Sequence, residues 1–249
     1  MRKTFVCIDD TDNLESRGTG ALASMLIDII HGRGWGSCSY ITRHQLYFHP
    51  DIPYTSHNSA MCFVIEHQED IYSPLREMAM DFLVRESASG SDPGLCIAEY
   101  DQIKDPQALM DYGRRAKKEI LNKEIAYELA QSQGVHLSEH GGTGGGVIGA
   151  LAGVGLRLTG NDGRIKGKEI FPLPGDSLTV KEILANSDID RVESLDGTRI
   201  SEDEEVKLGE KVKSVFLGYQ KVLLVYPVRD ENSNKDSWHT CMKEQLRKY

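Results

Sequence analysis

The stretch Phe5-Val6-Cys7-Ile8-Asp9-Asp10-Thr11-Asp12, followed by Ser16-Arg17-Gly18-Thr19-Gly20, decides the reading of this chain. Four consecutive apolar residues predict a buried strand, and three carboxylates in the next four positions end it abruptly. Carboxylates crowded at a strand end repel one another and raise each other's pKa unless a cation or a row of donors neutralises them. Oxygen-only donors suit magnesium, which makes Asp9, Asp10 and Asp12 the candidate metal ligands. An ordinary turn held by its own Asp, Thr and Asn side chains is the plainer alternative. The context shifts the balance, because Gly18-Thr19-Gly20 opens the helical run Ala21-Leu22-Ala23-Ser24-Met25-Leu26-Ile27-Asp28-Ile29-Ile30. A helix N-terminus offers amides and positive potential to a phosphate. Strand end, acidic loop and helix start together predict a nucleotide site, with Thr11, Arg17, Gly18 and Gly20 beside the carboxylates.

A second stretch of this kind is Glu139-His140-Gly141-Gly142-Thr143-Gly144-Gly145-Gly146, which runs into the small-residue helix Val147-Ile148-Gly149-Ala150-Leu151-Ala152-Gly153. Such glycine density lets backbone amides approach a ligand and lets the chain take positive φ angles. Gly141, Gly142, Gly144, Gly145 and Gly146 are therefore predicted to bind nucleotide or substrate, with a plain hinge as the alternative. The Gly-Lys-Ser/Thr ending of a P-loop is absent.

Net charge bounds the partners. With 38 acidic against 29 basic residues the chain carries −9, whereas nucleic-acid affinity comes largely from cations on phosphates. Any RNA contact must be local. Candidate cations are Arg2-Lys3, Arg43, Arg114-Arg115 with Lys117-Lys118, and above all Arg164, Lys166 and Lys168. Alternation in a strand would put those last three on one side. Five cysteines without C-x-x-C spacing argue against a disulfide framework or zinc ribbon and read as small core residues. No run is apolar enough to span a membrane, and Met1-Arg2-Lys3 leads straight into a strand, so the expected location is cytoplasmic.

Along the chain, strands are predicted at 38–48, 60–66 and 95–98, a helix at 73–86, and two helices over 110–134 that meet near Asn122. Ile120 and Tyr112 read as packing residues. Strand, helix, strand suggests a ferredoxin-like part. Gly160-Asn161-Asp162-Gly163 reads as a hairpin turn between Leu156-Arg157-Leu158 and Arg164-Ile165-Lys166. A linker is expected at 172–175, and short strands follow at 191–194, 198–200, 212–217 and 221–225.

These motifs resemble the archaeal tRNA isoleucine agmatidine synthetase family. Ile8-Asp9-Asp10-Thr11-Asp12 with Arg17-Gly18 carries the resemblance first. Asp51-Ile52-Pro53-Tyr54-Thr55 with Asn58 and Ala60, then Ser91-Asp92-Pro93-Gly94-Leu95, then the glycine run through Ala152, agree in order. The likeness covers about the first two thirds of the chain and stops near Arg164. In that family ATP is used to couple agmatine to the wobble cytidine of a tRNA anticodon. The resemblance implies ATP and Mg²⁺ as cofactors, tRNA and an amine such as agmatine as partners, and Tyr54, Thr55 and Asn58 as nucleotide lining. It also implies that Thr19 matches a threonine that takes part as a phosphorylated residue. The chain departs from the family in reading Ser56-His57-Asn58-Ser59 where the pattern has Arg-Gly-Asn-Gly, and in lacking the zinc ribbon.

The expectation is an α/β (α+β) protein. An ATP-binding, kinase-like catalytic unit with a ferredoxin-like part covers 1–171, a small β domain 176–228 and a charged tail 229–249. The preferred activity is ATP-dependent phosphoryl transfer of the ligase or kinase type, activating a nucleobase for attack by an amine. The alternatives are an ATP-dependent enzyme acting on a free nucleotide or small metabolite, and a nucleotide-binding regulatory protein without turnover.

Overall fold

The computed structural model describes residues 1–52, 58–171, 177–229 and 236–249. Tyr54, Thr55 and the expected linker at 172–175 lie outside the described residues. The chain is α/β and divides into two compact units, Met1–Thr159 and Gly160–Tyr249.

In the first unit the opening strand is β1 (Arg2–Asp9). Its run is continuously apolar because both faces are covered: Val6 and Ile8 enter one core, and Phe5 and Cys7 enter another. Helix α1 (Thr19–Gly32) follows, then the short strands β2 (Ser37–Cys38) and β3 (Thr42–Gln45). The single strand expected over 38–48 is thus two pieces. Next come β4 (Ser59–His67), α2 (Tyr72–Glu86) and β5 (Gly94–Glu99). The order β5-β1-β4-β3, with every neighbouring pair antiparallel, is the ferredoxin-like arrangement. Leu22, Leu26 and Ile30 of α1 and Leu75, Ala79 and Phe82 of α2 cover one face. Full burial of each large apolar side chain contributes about 1.5–3 kcal/mol.

The opposite face is covered by α3 (Pro106–Ala116), α4 (Lys123–Gln133) and α5 (Gly146–Leu158). β6 (His136–Glu139), which the sequence reading missed, extends the sheet beside β5. α3 and α4 are divided at Asn122 as expected, and its side chain caps α4 by accepting from the Ile125 amide at 2.9 Å. α5 packs unusually close: a Cβ on Gly113 would stand 2.9 Å from the Ala152 carbonyl oxygen, and one on Gly155 would overlap the Leu109 carbonyl. The hairpin expected on either side of 160–163 is corrected. Leu156, Arg157 and Leu158 are buried in the last turn of α5, and Gly160, at φ +68°, ends that helix. Cys7 lies opposite both Cys62 and Cys96 in the sheet, and all three are buried free thiols.

The second unit holds β7 (Arg164–Ile165), β8 (Ser177–Thr179), α6 (Val180–Ala185), β9 (Arg191–Ser194), β10 (Glu205–Lys207), β11 (Ser214–Leu217), β12 (Gln220–Arg229) and β13 (Asp236–Thr240). β11 and β12 form a hairpin whose Gly218 and Tyr219 both have φ +60°, the two-residue turn that matches strand twist. Thr179 and Glu182 form a reciprocal capping box on α6, a helix absent from the sequence expectation. The C-terminal stretch carries a strand, β13, paired with β12 and β10, and Leu246 beyond it is fully buried. Among the described residues no helix is long and apolar enough to cross a membrane.

Candidate nucleotide site

A cavity of about 320 Å³ opens in the first unit where β1 ends. Asp9, Asp10, Asp12, Gly18, Thr19, Gly20, Asn58, Gly145 and Gly146 line it, so the acidic loop and both glycine-opened helices meet as their sequence suggests. The two helices involved share a feature. α1 starts at Gly18 and α5 at Gly145, and neither has a side-chain cap. α3 and α4 are instead capped by Asp105 and Asn122. A helix start without a capping side chain leaves amides for another acceptor.

The carboxylates are held under tension with one another. Burial first, then the neighbouring Asp10, pushes the Asp9 carboxyl up to about 8. Burial, followed by Asp92 and Asp12, pushes Asp10 up to about 6. Asp10 also sits at φ +50°, a conformation that Asp tolerates better than most residues. Thr19 links two members of the loop: its hydroxyl donates to Asp12 Oδ1 at 2.7 Å and accepts from the buried Thr11 hydroxyl at 3.1 Å. Among the described residues no three acidic, His or Cys side chains converge as a ready-made metal cage. Asp9, Asp10 and Asp12 nevertheless line one cavity, as their spacing leads one to expect. Asp12 is turned to Thr19, and Asp9 lies against Gly149 of α5.

Asp92 is the cavity residue that sequence reasoning passed over, although Ser91-Asp92-Pro93-Gly94-Leu95 is one of the chain's recognisable motifs. It lines the cavity and organises the glycine run. Its Oδ1 accepts the Thr143 amide, its Oδ2 accepts the Thr143 hydroxyl at 2.9 Å, and its carbonyl accepts the Gly146 amide at 3.0 Å. A Cβ on Gly142 would overlap Asp92 Oδ1. Gly141, Gly142 and Gly144 do not line the cavity; they pack on Ser91, Asp92 and Glu139, with Gly141 and Gly142 exposed. Arg43, Ser59, Asp51, Glu119 and Ile120 also line the cavity, so Ile120 is half-exposed there rather than in the core.

Other candidates lie elsewhere. Arg17 turns out to Glu86, 2.7 Å away. His140 bonds to Ser138 at 2.8 Å, with His136 on the same hydroxyl. The one-sided stripe of Arg164, Lys166 and Lys168 is corrected: β7 ends at Ile165, Gly167 has φ +111°, and Arg164 is buried while Lys166 and Lys168 are exposed. A strand two residues long cannot set the alternation that the stripe requires.

The site and fold define the first unit as an α/β protein with a ferredoxin-like sheet and an acidic pocket at the sheet's end. No family model and no curated protein matches the chain. Solved structures share the fold. The crystal structure of TiaS in complex with an isoleucine tRNA and ATP has a TM-score of 0.54 and 24% identity, covering 62% of this chain and 36% of that one. A tRNA fluorescent labeling enzyme has a TM-score of 0.54 and 25% identity, covering 61% and 36%. The complex of TiaS with the same tRNA, AMPCPP and agmatine has a TM-score of 0.53 and 19% identity, covering 74% and 44%. TiaS is a tRNA agmatidine synthetase. The likeness is one of fold, and the chain spans less than half the length of these proteins.

Proposed function

We propose that the first unit is the ATP-binding unit of a phosphoryl-transfer enzyme related to tRNA agmatidine synthetases. The observation that carries this is the meeting of four carboxylates, Asp9, Asp10, Asp12 and Asp92, with two uncapped helix starts in one cavity. Carboxylates alone would repel a phosphate, and helix starts alone would not gather carboxylates, so the pair of features fits a metal-bound polyphosphate. A fold shared with proteins crystallised with tRNA and with ATP or AMPCPP supports the reading.

The residues fit Mg²⁺ in the mode usual for nucleotide sites, where one or two carboxylates hold the ion and phosphate oxygens and waters complete it. In this reading Asp9 and Asp10 are the holders, since both line the cavity and are buried beside other carboxylates. When bound, Mg²⁺ with ATP supplies the transferable phosphoryl group and its charge neutralisation. Positioning is then most of what the protein must provide. In this reading the amides at Gly18, Thr19 and Gly20 and at Gly145 orient phosphate oxygens, while the Gly146 amide is held by the Asp92 carbonyl. In this reading Thr19 would accept the γ-phosphoryl group of ATP with ADP as the leaving group, and its hydrogen bonds to Thr11 and to Asp12 Oδ1 support the role, Thr11 orienting the oxygen and Asp12 taking the hydroxyl proton.

The acceptor in this reading is a tRNA base activated for attack by an amine such as agmatine. A free nucleotide or small metabolite is the second reading, favoured by the net charge of −9 and by the burial of Arg164. Isotope-labelled ATP tests both. Label or agmatine-dependent turnover on bulk tRNA supports the first, and label on a small molecule supports the second. Tight binding without turnover would make the chain a nucleotide sensor, and no ATP binding at all would remove the proposal. Filter binding of bulk tRNA across salt concentrations adds a second reading of the acceptor, because phosphate contacts give a steep salt dependence.

A further inference from the structure

Six carboxylates line the cavity, from Asp9, Asp10, Asp12, Asp51, Asp92 and Glu119, and among its described lining residues one side chain is basic: Arg43. Its placement follows from strand geometry. Arg43 pairs with Met61 across β3 and β4, and Met61 pairs with Ile8 across β4 and β1. Residues directly opposite one another project to one side of a sheet. Ile8 and Met61 belong to the core under α1 and α2, so Arg43 leaves the sheet on the face that carries α1. Gly18, Thr19 and Gly20 at the start of α1 line the same cavity. Arg43 and the start of α1 therefore share one face of the sheet.

The guanidinium is also held in place. Arg43 Nε donates to Ser59 Oγ at 2.9 Å, and Ser59, at the first position of β4, is buried. Its charge reaches Asp9, whose carboxyl it draws back toward ionisation. A planar guanidinium oriented through Nε has the rigid fork that matches a phosphate, a geometry that a lysine does not supply.

We propose that Arg43, oriented by Ser59, is the phosphate-binding cation of this cavity. The inference rests on the nucleotide reading above and adds the residue that selects for phosphate. Without such a cation, a pocket of six carboxylates would favour cations and reject a nucleotide carrying its full phosphate charge.

The test is calorimetric titration of wild type, Arg43→Met and Ser59→Ala with ATP, ADP, AMP and adenosine at fixed Mg²⁺, alongside circular dichroism and Tm. Arg43→Met should weaken ATP roughly 10- to 100-fold, as loss of a charge-assisted contact does. The loss should shrink stepwise through ADP and AMP to nothing for adenosine. Ser59→Ala keeps the charge but frees its orientation, and should weaken ATP several-fold with the same phosphate dependence. Should Arg43→Met fail to fold, Ser59→Ala carries the decision alone. A loss equal for ATP and adenosine, or no loss in a folded variant, overturns the role of Arg43 and leaves the nucleotide site standing. Wild type that binds none of the four overturns both.

Discussion

Asp9 rests directly on the backbone of α5, because a Cβ placed on Gly149 would overlap Asp9 Oδ2. One turn further along the same helix, Gly153 stands in the same relation to Cys7 Sγ. Cys7 and Asp9 point to the same side of β1, so two glycines four residues apart let one helix lie flat under the strand that delivers the carboxylate.

Gly149→Ala and Gly153→Ala should both destabilise the protein, by about 1–3 kcal/mol each, the usual cost of forcing a methyl group into packed space. Their effects on ligand should differ. Gly149→Ala displaces the Asp9 carboxylate and should abolish Mg²⁺-dependent ATP binding, whereas Gly153→Ala should leave it within about twofold in molecules that remain folded. Thermal melts and calorimetry on the pair check this, and equal binding losses would show that helix packing alone is being read.

Stability of the ligand-free protein should fall as pH rises from about 6.5 to 8. The folded Asp9 carboxyl titrates near 8 against an ordinary value of 3.8, so the folded state binds more protons than the unfolded one across that interval. Stability then drops with pH. Its favourable contribution is whole below 3.8 and lost as pH passes through 8. His136, lowered to about 4 mainly by burial, runs the other way, as do His140 and His239, also lowered by burial, but their contributions are nearly complete about one pH unit above the ordinary 6.5. Asp10, near 6, has largely finished as well. Tm measured at pH 6.5 and 8 should therefore decline for wild type and hold level for Asp9→Asn.

Asp10→Asn removes charge while keeping a residue that accepts φ +50°. It should weaken Mg²⁺-dependent ATP binding by about 1–3 kcal/mol, the range for losing a charged partner. It should also raise Tm near neutral pH by relieving Asp9. Unchanged ATP affinity with the fold intact would take Asp10 out of the site.

Gly144 has φ +76°, and a Cβ there would overlap Glu139 Oε2. Lys123 Nζ clamps the same carboxylate at 2.8 Å and the Thr143 carbonyl at 2.6 Å. Gly144→Ala should cost about 1–2 kcal/mol from the left-handed backbone alone. It should also loosen Thr143 from Asp92 and so weaken nucleotide binding. A variant that lost stability but bound ATP as wild type does would reduce the glycine run to a structural turn.

Local chemistry wrote much of this protein into its sequence. The apolar run at Phe5-Val6-Cys7-Ile8 and the abrupt carboxylates after it mark β1 and its end, and Gly18 marks the start of α1. Asn122 marks the division between α3 and α4, and Arg191–Ser194 stands as a strand with its expected bounds. These signals are legible because each depends on residues within one or two turns of one another. Tertiary structure alone decided the rest. Arg43 reaches the cavity because β3 pairs with β4 and β4 with β1, pairings that join residues as distant in the chain as Arg2 and His67. Asp92 becomes central because the glycine run, some 50 residues later, folds onto its carboxylate. Leu156, Arg157 and Leu158 stay helical because α5 is buried between α3 and the sheet, which outweighs the turn signal that follows. Arg164 is buried and Lys166 exposed because β7 ends after two residues. In each of these cases the deciding energy is burial or pairing against a distant segment, a term absent from any local window of sequence.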